Sequence, residues 1–256
     1  MKALKTLSKY LLITVGWVLV WWGISAIVGN PIIFPAPSSV LLRAFELAMG
    51  SESATFWLSI LYSIIRIVFG LICAIAAAVL TSAVAFRFKP VESVLKPLIT
   101  VIKSTPLVSF IFIAYIAFIE DQNPLPSFIA GLIVFPVIYD SILSALKRTP
   151  KELIEVSDVF GCSFYERLRY LWVPSALPSF ITASKTSIGL AWKAGVAAEA
   201  LVAIPTMISI GTELSQAKKQ IETADQFAWT LVIILLSLMI EILFSALAKK
   251  LTDKIL

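Results

Sequence analysis

The sequence predicts an all-α membrane protein with six transmembrane helices, on three observations. Of its 256 residues, 59% are hydrophobic and only 14% are charged, whereas a soluble domain carries about 25% charged and about half apolar residues. Mean hydropathy is +0.94. The apolar residues fall in continuous runs of about 20, the length a helix needs to cross the hydrocarbon core, and they do not alternate as barrel strands do. This composition excludes a soluble enzyme. Histidine is absent, which removes the usual metal ligand and the best proton-transfer group at neutral pH. Cys73 and Cys162 lie too far apart, in unlike surroundings, to build a disulfide framework or zinc site.

The first span runs from about Tyr10 to Val28 and is rich in aromatics (Trp17, Trp21, Trp22). Its apolar run exceeds the 7–15 residues of a signal-peptide core, so it is read as retained. Pro31, Pro35 and Pro37 then stiffen an external segment, and Ser38 offers a cap for a short amphipathic helix ending near Gly50. Spans two to six are expected at about 57–86, 98–119, 127–146, 176–204 and 227–247. The loop Glu120–Pro126 is short and acidic. The stretch Pro205–Gln226, with Ile208, Leu214, Ala217 and Ile221 among polar residues, predicts a second surface helix. Residues 1–56 thus form an entry span with its external segment, and residues 57–250 a membrane core.

Basic residues set the orientation. Lys2, Lys5 and Lys9 precede span one; Arg87, Lys89 and Lys96 separate spans two and three. Lys147, Arg148, Lys151, Arg167 and Arg169 separate four and five, and Lys249, Lys250 and Lys254 follow six. The opposite connections hold only Arg43, Lys218 and Lys219. The positive-inside rule then puts both termini in the cytoplasm.

The cytoplasmic loop 147–175 is the most informative segment. Thr149-Pro150-Lys151-Glu152 reads as a capping box with proline at the first helical position. Leu153, Val156 and Phe160 give the helix one apolar face, and Gly161 stops it. Ser163-Phe164-Tyr165-Glu166 is a second capping box, opening a helix that carries Arg167 and Arg169 and that Pro174 is expected to end. Such an element either packs on its own helix ends or docks on a partner.

Glu155-Val156-Ser157, three residues, Gly161, nine residues, then Leu171-Trp172-Val173-Pro174 resembles the EAA motif of ABC importer permeases, which reads E-A-A, three residues, G, nine residues, I-x-L-P. Phe34-Pro35-Ala36-Pro37-Ser38-Ser39-Val40, Ser63–Gly70, Gly189-Leu190-Ala191-Trp192 and Val196-Ala197-Ala198-Glu199 resemble the nitrate/sulfonate/taurine branch. The resemblance implies a type I ABC importer permease-like fold in a bacterial inner membrane. It further implies a homodimer, a separate ABC ATPase and an extracytoplasmic substrate-binding protein. Glu152, Glu155, Ser157, Gly161, Arg167, Leu171, Val173 and Pro174 would form the ATPase-coupling loop. No G-x-x-x-x-G-K-[ST] phosphate loop occurs, so ATP and Mg are expected on the partner ATPase, with no cofactor on this chain. Besides those subunits the expected partner is the lipid bilayer, and no nucleic acid.

Ionisable groups within spans cost about 2.5–3.5 kcal/mol each at mid-membrane and should face a cavity, a partner or the interface. Arg66, Asp140, Lys193 and Glu199 are the candidate translocation-pathway residues. Lys103 and Lys185 are expected to snorkel. Lys193 and Glu199, six residues apart, fall on different helix faces. Either Lys193 attracts an anionic or polar substrate and Glu199 holds an external gate, or both satisfy neighbouring helices. Cys73 is expected as a small core residue, and the tryptophans near span ends as interfacial anchors. The rival function is an ion-coupled secondary transporter or channel, with Asp140, Glu199 and Glu241 as the acids available to it.

Overall fold

The computed structural model describes residues 2–203 and 207–255. Among them the chain is helical with no strand. In order it forms α1 (Lys2–Val28), α2 (Pro37–Met49), α3 (Ser53–Arg87), α4 (Lys89–Ser104), α5 (Leu107–Ala117), α6 (Leu125–Lys147), α7 (Lys151–Val159), α8 (Phe164–Arg167), a π-helical turn (Leu168–Trp172), α9 (Val173–Val202), α10 (Ile210–Gln220) and α11 (Thr223–Ile255). Ile204 and Pro205, used above to bound span five and the second surface helix, lie outside the described residues, as do the side chains of the terminal lysines.

By length and composition three helices can cross a membrane: α3, α6 and the Thr223–Ala246 part of α11. The bent pair α4–α5 would make a fourth, and Leu12–Val28 of α1 is a shorter apolar helix. The 30-residue α9 carries Lys185, Lys193 and Glu199 and falls outside that group.

The expected third span is not one helix. α4 stops at Ser104, α5 starts at Leu107, and the two are bent by 107°. Pro106 is the cause. Its ring excludes the helical region for the residue before it, and Thr105 is extended at φ −84°, ψ 134°. The start of α2 also differs from expectation. α2 begins at Pro37 with Ala36 as its N-cap, so Ser38 lies inside the helix; the end at Gly50 is as expected. Proline suits a first helical position because its missing N–H would be unsatisfied there anyway.

The chain divides into two compact units. The first, residues 1–62 and 203–236, is held by aromatic packing and one arginine. Trp21 Nε1 donates to Pro35 O at 3.1 Å, and Ser25 Oγ donates to Phe34 O at 3.0 Å, pinning the proline segment on α1. Phe227 of α11 meets Phe34 edge-on at 5.5 Å, and Trp229 packs against Phe56 at 5.0 Å with its ring tilted by 32°. Trp229 is buried, a packing residue and not an interfacial anchor. Arg43 bonds Asp225 through Nε (2.6 Å) and Nη2 (2.9 Å) and reaches Glu52 at 3.1 Å. This two-pronged pairing, the strongest geometry for an arginine and a carboxylate, holds the guanidinium pKa above its ordinary value. A helix, α10, forms within the stretch expected to hold one, and it buries Ile210 and Ala217.

The second unit, residues 63–202 and 237–256, is built around α6 and α9, with α5 against both. Its core gathers Ile111, Ala114, Leu125, Ile129, Ala194 and Ala198. Small residues set the spacing. A Cβ on Gly70 would lie 2.1 Å from Ser127 O, so the α3 and α6 backbones touch there. On Gly195 it would lie 2.5 Å from Ile67 Cγ1, which sets how close α9 comes to α3. Cys73, expected in the core, is exposed. The α3 segment around it is apolar on every side, so periodicity could not assign it a face.

Candidate functional site

Two groups of the expected residues lie together within the second unit. The loop helices come first. Gly161 sits at φ +63°, the left-handed conformation that glycine adopts without a Cβ penalty, and it ends α7 as expected. Ser163 caps α8 in a complete capping box. Its Oγ accepts from Glu166 N at 3.3 Å, and Glu166 Oε2 accepts from Ser163 N at 2.7 Å. These bonds favour the ionised form and hold the Glu166 carboxyl below its usual range.

The first box does not form. Pro150 is extended, at ψ 134°, and serves as the N-cap of α7 without a side-chain bond. Thr149 Oγ1 is buried and has no hydrogen-bond partner among the described residues. The helix starts one residue later than the box requires, which places Thr149 outside capping reach. Nor does Pro174 end the second helix. The chain runs from α8 through the π-helical turn into α9, and Pro174 is the second residue of α9. Val173 N–H donates five residues back to Leu168 O. That wider turn carries the helix up to a proline that has no N–H to give.

Arg167 fastens α8 to α7: it pairs with Asp158 at 2.5 Å and donates from Nε to Cys162 O at 3.1 Å. Ser157 Oγ donates to Ile154 O at 2.6 Å. Glu152 and Glu155 are exposed, Leu171 and Pro174 half-buried, and Val173 exposed. The apolar face is turned outward: Val159 is 86% and Phe160 79% exposed, with Leu153, Val156, Phe164 and Tyr165 also open. Sequence reasoning missed Trp172, which lies between Phe86 of α3 and Phe164 of α8, each at 5.5 Å between ring centroids. A tryptophan inside the motif's last four residues was the available signal.

The second group lies between α3 and α9. Glu199 is fully buried, accepts from Ser63 Oγ at 2.7 Å, and has Arg66 Nη1 3.9 Å from its Oε1. Arg66 Nη2 donates to Asn123 Oδ1 at 3.0 Å, and its backbone oxygen accepts from Ser127 Oγ at 2.7 Å. Burying a carboxylate away from water is costly unless a countercharge and donors meet it, and here one serine and one arginine do. Two of the four pathway candidates, Arg66 and Glu199, therefore meet. Asp140 does not join them; it pairs with Lys103 at 2.6 Å, so Lys103 is held as well as half-exposed. Lys193 is exposed while Glu199 is buried, on different faces of α9 as their spacing requires.

Residues 66–255 match the family of binding-protein-dependent transport system inner membrane components. The chain belongs to this family. It is an ABC importer permease of the nitrate/sulfonate/taurine branch, a multi-pass membrane transport subunit. The taurine transport system permease protein TauC of Escherichia coli is 25% identical over 255 residues, covering 96% of this chain and 90% of the relative. The nitrate import permease protein NrtB of Synechococcus elongatus is 26% identical, covering 78% of this chain and 74% of the relative. The formylaminopyrimidine transport permease protein ThiX of Halalkalibacterium halodurans is 29% identical, covering 68% of each.

Proposed function

We propose that this permease carries a small, anionic or polar solute inward across a bacterial inner membrane by alternating access, driven by a separate ABC ATPase. Relatives are named for taurine, nitrate, bicarbonate and formylaminopyrimidine transport, and we place the solute of this chain in the same range, as a sulfonate, nitrate, bicarbonate or a pyrimidine precursor. The permease works as a homodimer of subunits that cross the membrane six times, the third crossing made by the short α5 and the residues after it and not by one full-length helix, with both termini in the cytoplasm and an external binding protein supplying the solute. ATP and Mg bind the ATPase and not this chain.

The observation that carries this reading is the outward-facing apolar surface of the α7–α8 element, Val156, Val159, Phe160, Phe164 and Tyr165, rimmed by Glu152 and Glu155. An exposed apolar patch with a charged rim is the composition of a docking surface. The glycine turn, the Ser163 box and the Arg167–Asp158 pair make it rigid, so force applied to it reaches α9 through the continuous helical backbone and α3 through Trp172. When the ATPases close on ATP, the loops are drawn together and the pathway opens outward; hydrolysis reverses this. Lys193 draws the solute in, and the Arg66–Glu199 pair holds the external gate.

Vesicles containing the permease, its ATPase and its binding protein test the proposal. Uptake of the binding protein's ligand should require ATP and all three components. Uptake by the permease alone, driven by an ion gradient, would instead establish the secondary-transporter reading.

A further inference from the structure

Helix α4 is divided into three faces. Ile99 and Ile102 are buried, and Val91 and Leu95 half-buried, against the protein. Lys89, Lys96 and Lys103, spaced by seven, line a polar face with Ser93 and Thr100. The third face is apolar and open: Val94 is 72% exposed, and Leu98, Val101, Pro90 and Pro97 share that side. Next to it, α5 carries no charged residue but has only 11 residues, about 16 Å of helix, half of what a full-length span requires. The two are bent by 107°. With α5 inclined to the membrane normal by the usual ~20°, α4 lies within about 40° of the membrane plane.

Resting on the cytoplasmic placement of this segment, we propose that α4 is an interfacial helix that binds anionic phospholipid headgroups. Val94, Leu98 and Val101 lie among the acyl chains, and Lys89 and Lys96 reach the phosphates. The charge balance favours a lipid over a protein surface as occupant. Glu92, the acid of α4, is paired to Lys147 of α6, and Lys103 to Asp140. Arg87, Lys89 and Lys96 are exposed beside the apolar stripe, the arrangement of helices that lie on anionic bilayers. The mechanism this implies is a brace: α4 is held at the membrane surface while α6 and α9, which pack with α5, move.

The test uses the complete importer in vesicles, in a Cys73→Ser, Cys162→Ser background carrying Leu98→Cys or, separately, Val94→Cys, each labelled with a fluorophore. Both positions are open, so the label displaces no packed neighbour. Brominated phosphatidylglycerol should quench the label more than brominated phosphatidylcholine at equal mole fraction, and aqueous iodide should quench it little. Lys89→Gln and Lys96→Gln should each reduce the preference for phosphatidylglycerol by about fivefold, the equivalent of about 1 kcal/mol per basic residue. Strong iodide quenching, quenching by neither lipid (the face covered by a second copy or by the ATPase), or equal quenching by both lipids would overturn the proposal. None of these readouts depends on transport, so failure here is separate from failure of the coupling account.

Discussion

Gly70 and Gly195 show how two formally equal residues differ in what they tolerate. At Gly70 a methyl group would enter a backbone carbonyl, that of Ser127, which cannot step aside without moving α6. At Gly195 it would enter the Ile67 side chain, which can change rotamer. Gly70→Ala should therefore cost about 1–3 kcal/mol, as overpacking typically does, and Gly195→Ala less. Thermal unfolding of the two variants in detergent would measure the difference, and equal losses would mean that α3 and α6 are not in contact there. Glu199 gives a second expectation at this scale. Ser63→Ala removes a donor from a fully buried carboxylate and should destabilise by about 1–3 kcal/mol. Glu199→Gln keeps the shape but removes the attraction to Arg66; with the pair acting as a gate latch, it should alter uptake more than melting temperature.

Among the elements, α10 carries a carboxylate whose environment opposes its charge. Burial and the nearby Glu52 raise the Glu213 pKa above its ordinary value of 4.5. A carboxyl with a raised folded pKa favours folding in its protonated form, at low pH, and loses that contribution as pH rises through the folded value. Glu213→Gln should thus stabilise the protein at pH 7, and the gain should fade as pH drops toward 4.5. Melting curves at the two pH values check this; a gain independent of pH would assign it to packing instead. For Glu166 the sign is opposite. The capping bonds lower its pKa, so the box should weaken as pH falls through that lowered value; Ser163→Ala should reduce the dependence and leave the part due to the residue-163 backbone N–H.

Much of this element-level structure was legible in the chain, for identifiable reasons. α3 and α6 follow the predicted spans closely because long apolar runs leave little choice. Gly161 and the Ser163 box were readable because each depends on a few adjacent residues. The break at Thr105-Pro106 was missed although its proline was in view, because the apolar run continues across it and hydropathy does not register a bend. Thr149 was misassigned by one residue, which is enough to lose a cap. The meeting of Arg66 with Glu199, and of Arg43 with Asp225, depends on packing between distant segments, which sequence spacing does not report.

For the whole molecule, the proposed coupling is mechanical: the α7–α8 element would be the surface on which an ATPase acts, and its rigidity would transmit that action to α9 and α3. Gly161→Ala tests the rigidity. A β-carbon in the left-handed conformation costs about 1–2 kcal/mol, so the turn should open and ATP hydrolysis should uncouple from uptake while the permease stays folded; unchanged coupling would mean that the turn transmits nothing. The most direct measurement is photocrosslinking from position 160 in the assembled transporter, with a photoreactive residue in place of Phe160. The account predicts an adduct with the ABC ATPase, its yield changing between the ATP-bound and nucleotide-free states. An adduct only to lipid or to the permease itself, in both states, would contradict it.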